Sequence, residues 1–259
     1  MEAESTDQNQ GGVRSVRRAL DILSLLTEDQ PVVSLRTIVE ATGLAKTTVV
    51  RLVQTLEQNG LLWATEAGYT AGPGLWRWAH LAHGSWELPP ETRKRLRDLT
   101  LRHGETANVM MRRDIHRVCV AQQESPQPLR HVVRVGDELP LWVGASSKVL
   151  LVGASDALLR RVANASPHGE THVEQLRAWG DEAADRGYAV SHGERELGLT
   201  AVAVPITTPS GAVVAALSLS GPTARIPQDL IEPFARDLLE VAAQITGGQG
   251  FEHSLGTGF

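Results

Sequence analysis

The stretch from Ser34 to Trp63, SLRTIVEATGLAKTTVVRLVQTLEQNGLLW, decides how the first part of this chain is read. Ser34 stands where a helix N-cap belongs, Leu35, Ile38 and Val39 follow at helical spacing, and Gly43 comes where a left-handed residue would end the helix. A second helix is predicted from about Ala45 to Asn59, with Val49, Leu52, Val53 and Leu56 on one apolar stripe. At about 100° per residue, the side chains opposite that stripe are Thr47, Arg51, Gln54 and Gln58, with Val50 at the margin. Leu61-Leu62-Trp63, a turn at Glu66 to Gly68, and Tyr69-Thr70 then read as a two-stranded wing.

This pattern is a winged helix-turn-helix, and its second helix carries the side chains that read base pairs. Arginine donates two hydrogen bonds to a guanine edge, glutamine pairs with adenine, and threonine or valine methyls meet the thymine methyl. Lys46 lies at the helix start, within reach of a phosphate. The candidate DNA-binding residues are therefore Lys46, Thr47, Thr48, Val50, Arg51 and Gln54. Two plainer readings stand beside this one: a helical hairpin with a solvated polar face, and a winged helix used to dock a protein.

Composition narrows the class. The 259 residues, 42% hydrophobic and 21% charged, fit a globular protein with two domains of ordinary size. No run approaches the roughly 18 apolar residues of a membrane helix, and the start, MEAESTDQNQGG, is not a signal peptide, so a cytoplasmic location is expected. The single Cys119 excludes an intramolecular disulfide and a cysteine-rich zinc site. His80 and His83 have no third ligand, and neither a metal nor a cofactor is expected. The net charge of −5 argues against DNA binding for the chain as a whole. Between Val13 and Trp78, however, Arg14, Arg17, Arg18, Arg36, Lys46, Arg51 and Arg77 nearly balance Asp21, Glu28, Asp29, Glu40, Glu57 and Glu66. Binding by such a domain depends on doubling the site through dimerisation and falls with salt.

The expected organisation is a disordered tail over 1–12, the winged domain over 13–72, a linker helix over 73–87, an α+β domain over 88–246 and a flexible glycine-rich tail over 247–259. A helix from Ser15 to Thr27 would set Val16, Leu20 and Leu23 toward the core, with Ala19 and Leu26 beside them and apolar positions left over for a dimer contact. Trp76, Trp78 and Trp86 are expected to pack the linker against a domain. The second domain reads as a helix over Arg93 to His103, and strands over Ala107 to Arg112, Arg117 to Gln122 and Leu129 to Val135. Helices follow at Ser146 to Val152 and His172 to Arg186. Strands at Tyr188 to Ser191, Thr200 to Thr207 and Ala212 to Ser220, and a helix over Pro227 to Ile245, complete it. Pro209-Ser210-Gly211 marks a hairpin turn. A mainly antiparallel sheet with helices packed on it is a scaffold that often holds a small molecule. The catalytic motifs are missing: no Gly-x-Ser-x-Gly elbow, Ser-x-x-Lys, Walker loop or His-Glu-x-x-His, so an enzyme is not expected.

Two residue patterns support a ligand site. Ser218 and Ser220 alternate with Leu217 and Leu219, so both hydroxyls project from one sheet face. Gly144-Ala145-Ser146-Ser147 precedes a helix whose free N–H groups favour an anion. The plainer readings are strand serines bonded to backbone and an ordinary helix cap.

SVRRALDILSLL, ATGLAKTTVVRLVQTLEQNGLL and YTAGPGL in the first half, and LPLWVGASSKVLLV, RGYAVSHGERELGLTAVAVPI and SGAVVAALSLSGPTARI in the second, resemble the IclR-type bacterial transcription regulators over about Val13 to Gly247. The resemblance implies a winged helix-turn-helix joined to an effector domain similar to GAF and profilin-like folds. It implies a homodimer, often paired into a homotetramer, on a palindromic double-stranded operator, with repression the commoner outcome. It further implies a small-molecule effector, many in the family being carboxylates, in a cavity lined by Gly144, Ala145, Ser146, Ser147, Glu194, Ala201, Ser218 and Ser220. Trp142, Ser147 and Ser191-His192 depart from the family pattern and point to a bulkier or more apolar effector. Glu66 makes the wing turn acidic, which argues against minor-groove contact. The alternative is a regulator that no longer senses a ligand and acts through DNA or a protein partner alone.

Overall fold

The computed structural model describes residues 13–27, 29–86 and 88–246, which form two compact units dividing after Ser85. The tails expected over 1–12 and 247–259 lie outside the described residues. No helix among the described residues is long and apolar enough to cross a membrane.

The first unit holds α1 (Arg14–Leu23), β1 (Val32–Val33), α2 (Leu35–Thr42), α3 (Lys46–Gln58), β2 (Leu62–Thr65), β3 (Gly68–Ala71) and α4 (Gly74–Trp86). The Ser34 hydroxyl accepts the Thr37 N–H at 3.0 Å, satisfying one of the orphan donors at the start of α2. Gly43 ends that helix at φ +66°, the left-handed region that favours glycine. Ile22, Val33, Ile38, Val49, Val53, Leu56 and Leu62 form the core of the unit. The wing gains a third strand, because β1 pairs with β3 to give the order β1-β3-β2. Two residues are too few for a period-2 pattern to reveal.

Two expectations for this unit fail. Helix α1 stops at Leu23 and turns Ile22 inward, with Ala19 and Leu23 beside it, whereas Val16 and Leu20 are each 56% exposed. The helix is rotated from the predicted face because Ile22, left out of the sequence stripe, fills the core. Trp76 and Trp78 are exposed on α4 instead of packed, with the Arg77 guanidinium 5.8 Å from the Trp78 ring centroid. The side chains of His83 and Trp86 lie outside the described residues.

The second unit comprises α5 (Pro90–His103), β4 (Thr106–Arg113), β5 (His116–Gln123), β6 (Glu138–Pro140), α6 (Ala145–Leu150), α7 (Asp156–Asn164), α8 (Val173–Arg186), β7 (Ala189–His192), β8 (Leu199–Thr207), β9 (Val213–Pro222) and α9 (Ile231–Thr246). Its strands make one antiparallel sheet in the order β6-β5-β4-β9-β8-β7. Helices α5 and α9 cover one face, where Leu96, Leu99, Phe234 and Leu238 meet Val109, Val202, Leu217 and Leu219. Helices α6, α7 and α8 belong to the core of the other face, with Val149, Leu159 and Leu176 grouped with Met110, Ala203 and Ala216. The alternation of β9 places its leucines under α5 and α9 and leaves Ser218 and Ser220 to the opposite face.

Leu129 to Val135 is not a strand. Side chains hold it instead: Leu129 O accepts from Arg225 Nη2, His131 O from Thr106 Oγ1, and Val133 O from Cys119 Sγ. The edge strand is the later β6. Helix α7 was not anticipated, although Ser155 caps it by accepting the Leu158 N–H and Leu159 and Val162 are buried along it.

Helix α8 approaches α6 across Gly180, where an added Cβ would stand 2.7 Å from the Leu151 carbonyl oxygen. A backbone atom cannot move aside cheaply. Gly180→Ala should therefore destabilise the fold by roughly 1–3 kcal/mol, read as a lower melting temperature; an unchanged melting curve would contradict this close packing.

Candidate functional site

Helix α3 turns Val49, Val53 and Leu56 into the core of the first unit. That leaves Lys46, Thr47, Arg51 and Gln54 exposed, with Thr48 and Val50 half-buried at the edges. No ion pair among the described residues engages Lys46 or Arg51. Thr55 bonds back to the Arg51 carbonyl at 2.9 Å, and Asn59 Nδ2 to the Thr55 carbonyl at 2.8 Å, closing the last turn before Gly60. The face is a solvated row of donors and methyl groups on a rigid helix, with Glu66 exposed at the turn between β2 and β3.

A second feature lies in the other unit, on the sheet face that carries Ser218 and Ser220. A cavity of about 480 Å³, part of it open to solvent, is lined there by Asn108, Met110, Ala201, Ser218 and Ser220 from β4, β8 and β9. Arg117, His131, Val133, Leu139, Gly144, Ala145, Ser146, Ser191, Glu194, Arg195 and Leu199 complete it. Of the residues expected to line such a cavity, Gly144, Ala145, Ser146, Glu194, Ala201, Ser218 and Ser220 are on its wall.

Ser147 is not. It is fully buried, its hydroxyl donates to Val143 O at 2.9 Å, and its oxygen accepts from Arg117 Nη1, so it seats that guanidinium instead of facing the cavity. One N–H of the loop is already engaged. Gly144 N donates to the chain's own Glu194 carboxylate at 3.2 Å, and the same carboxylate pairs with Lys148 Nζ at 2.5 Å. Lys148 Nζ further donates to Val190 O and lies 4.6 Å from the Trp179 ring centroid.

Arg117 is the dominant charge. It is only 5% exposed, and its Nη1 donates to Pro140 O at 2.6 Å, to Val143 O and to Ser147 Oγ, all neutral acceptors. No carboxylate among the described residues is in ion-pair contact with it. Burial, and then the neighbouring Arg195 charge, lower it to about 9 against the attraction of Glu194, so it remains cationic at neutral pH. Arg195 Nη2 donates to His131 Nε2 at 2.5 Å and to Glu196 Oε1 at 2.5 Å. A guanidinium cannot accept, so His131 presents its lone pair at Nε2 and its proton at Nδ1, which donates to Ser220 Oγ at 2.9 Å. Burial, then Arg195, push His131 down to about 4, consistent with a neutral ring. Asn108 Nδ2 also donates to Ser220 Oγ, at 3.2 Å. Asn108 Oδ1 is buried with no partner, and so is Gln122 Nε2.

Trp142 packs into the α6–α8 core instead of lining the cavity, and two arginines and a histidine set its polarity. Arg117, His131, Arg195 and Asn108 were missed from the sequence. Arg117 shares strand parity with Cys119, so a charged side chain at an inward position was the available signal. His131 lay in a segment misread as a strand. Cys119 is an inert core residue, its thiol pushed up by burial to about 12. Among the described residues no group of three His, Cys, Asp or Glu is placed to hold a metal ion.

Residues 15–63 match the IclR helix-turn-helix domain, and residues 81–247 match the C-terminal domain of the bacterial transcriptional regulator IclR. The chain is 26% identical to the transcriptional repressor IclR of Escherichia coli, with 96% of this chain and 94% of that protein covered. A crystal structure of an IclR-family regulator from Rhodococcus sp. is 40% identical, with a TM-score of 0.63 and 97% and 99% of the two chains covered. An IclR homologue from Microbacterium hydrocarbonoxydans, crystallised with 4-hydroxybenzoate, is 22% identical with a TM-score of 0.71, covering 90% of this chain and 97% of that one. A helix-turn-helix with an exposed polar face on its second helix, followed by a sheet domain with a cavity, is thus matched along both halves, and the chain belongs to the IclR family of DNA-binding transcriptional regulators, which are not enzymes.

Proposed function

We propose that the protein is a cytoplasmic repressor that binds a palindromic operator as a homodimer or a pair of dimers, and that a small carboxylate in the cavity of the second unit modulates its operator affinity. The observation that carries the ligand class is Arg117. A buried charge left without a counter-charge is costly, by several kcal/mol in an apolar site. An anion entering the cavity beside Arg117 and Arg195 would remove that cost, which a neutral or cationic ligand would not. The 4-hydroxybenzoate held by the Microbacterium homologue is a carboxylate and supports the same class. Gly144, Ala145, Ser146, Glu194, Ala201, Ser218 and Ser220 shape the cavity around it, and Ser147 acts only through Arg117.

DNA recognition belongs to Lys46, Thr47, Thr48, Val50, Arg51 and Gln54 in the winged domain over 13–72, joined by a linker over 73–87 to the effector domain over 88–246. Val13, Val16 and Leu20 recur at i, i+3 and i+7 and are all exposed, an apolar stripe that suits a dimer contact. The effector can shift operator binding only by preferring one state of the protein; a hundredfold preference supplies about 2.7 kcal/mol.

Replacing Arg51 by Ala should weaken operator binding by about 1–3 kcal/mol and relax the preference at one base position. Titration against operators carrying single base changes reads both effects, and wild-type affinity in the variant would show that Arg51 does not face a base. Arg195→Ala should weaken binding of a carboxylate ligand about 10- to 100-fold, the loss of one or two charge-assisted hydrogen bonds. Calorimetry with the full chain measures this, and an unchanged affinity would place the carboxylate elsewhere.

A further inference from the structure

Two irregular stretches of the second unit meet at the cavity. Residues 124–137 join β5 to β6, and residues 193–198 join β7 to β8. His131 and Val133 of the first stretch, and Glu194 and Arg195 of the second, are on the cavity wall. Among the described residues, the polar contact between the two stretches is Arg195 Nη2 donating to His131 Nε2 at 2.5 Å. Neither stretch is held by apolar burial at its outer side: Leu197 is 97% exposed and Leu129 69%. The second is anchored at its base, where Gly193 N donates to Leu199 O and Thr223 N to Gly198 O, each at 2.7 Å, and where Glu194 meets Lys148 and the Gly144 N–H. Segments with few buried apolar contacts open locally at low cost in free energy.

We infer that these two stretches form a gate over the cavity, latched by the contact between Arg195 and His131, and that a small molecule enters and leaves when the latch opens. That a small molecule uses the gate rests on the ligand reading above; that the two stretches open together rests on their contact alone. The latch is built to be reversible. His131 keeps its Nδ1 proton on Ser220 Oγ and so offers Nε2 as an acceptor in a fixed direction. When the contact breaks, Arg195 retains Glu196 Oε1 at 2.5 Å, so opening strands no charge without a partner. Gating of this kind sets rates of entry and release by the frequency of opening, not by the strength of the contacts inside.

Amide hydrogen exchange on the ligand-free full chain tests the latch. His131→Phe removes the acceptor and keeps a ring in its place; it should speed exchange of the Leu199 N–H, which is bonded to Glu196 O across the other stretch, by about 10- to 100-fold, the worth of one hydrogen bond to a charged group. His131→Gln restores an acceptor and should return that rate toward wild type. Should the Phe variant fail to fold, Arg195→Ala reads the same coupling from the half-buried partner, at the Arg134 N–H that donates to Asp137 Oδ2. Wild-type exchange at Leu199 in His131→Phe, or equal acceleration in His131→Gln, overturns the latch. Stopped-flow binding of benzoate then tests its use: in His131→Phe association and dissociation should both quicken about tenfold, with the Kd little changed. Faster dissociation alone would make His131 a ligand contact and overturn the gate. Absence of benzoate binding counts against the carboxylate reading and not against the latch, which the exchange rates decide.

Discussion

The effector domain is organised around a positive charge that it buries and does not neutralise. Arg117 projects from β5, beside the edge strand β6, and gathers Pro140 O, Val143 O and Ser147 Oγ on a single nitrogen, which ties down the segment leading into α6. The same contact dictates Gly144. That residue sits at φ +97°, and a Cβ there would stand 3.0 Å from Arg117 Nη2. The loop beside the cavity is thus shaped by the group that gives the cavity its charge, so that charge and the local fold rest on one side chain.

The surrounding charges are arranged around that one. Glu194, the nearest compensating acid, is held by Lys148 and by the Gly144 N–H instead of by Arg117. Arg195 is turned toward the neutral ring of His131, and the donor direction then runs from Arg195 through His131 to Ser220. Polar groups linked in this way polarise one another and fix their orientations. The cavity therefore offers a preorganised cationic side, with hydroxyl and amide groups on the sheet behind it, and its pattern of open donors and acceptors follows from the bonds already made.

Much of the fold was legible because its elements are periodic. Ser34, Gly43 and the Val49-Val53-Leu56 stripe specify the helix-turn-helix locally, and the alternation of Leu217 and Leu219 with Ser218 and Ser220 assigns the faces of β9 before any neighbour is known. The failures have physical causes. In α1 Ile22, Ala19, Leu23, Val16 and Leu20 share one broad apolar face, and only its Ile22 side meets the core, so periodicity could not show that Ile22 would be buried and Val16 and Leu20 exposed. Leu129 to Val135 has the valine content of a strand, but three of its carbonyls are claimed by Arg225, Thr106 and Cys119, partners that only the tertiary structure brings near. Arg117, His131 and Arg195 are separated in sequence and meet only when the sheet forms, so a local motif could not announce them. The loop at Gly144 reaches the cavity wall, and the Gly144 N–H serves Glu194, a pairing that no local spacing encodes.

The central claim is that the unpaired Arg117 guanidinium awaits an anionic ligand. A crystal structure of the full chain with the tightest-binding carboxylate tests it most directly. The account predicts a carboxylate oxygen within about 3 Å of Arg117 Nη2, the distance of a charge-assisted hydrogen bond. A ligand bound elsewhere, or one whose carboxylate points away from Arg117 toward solvent, would contradict it.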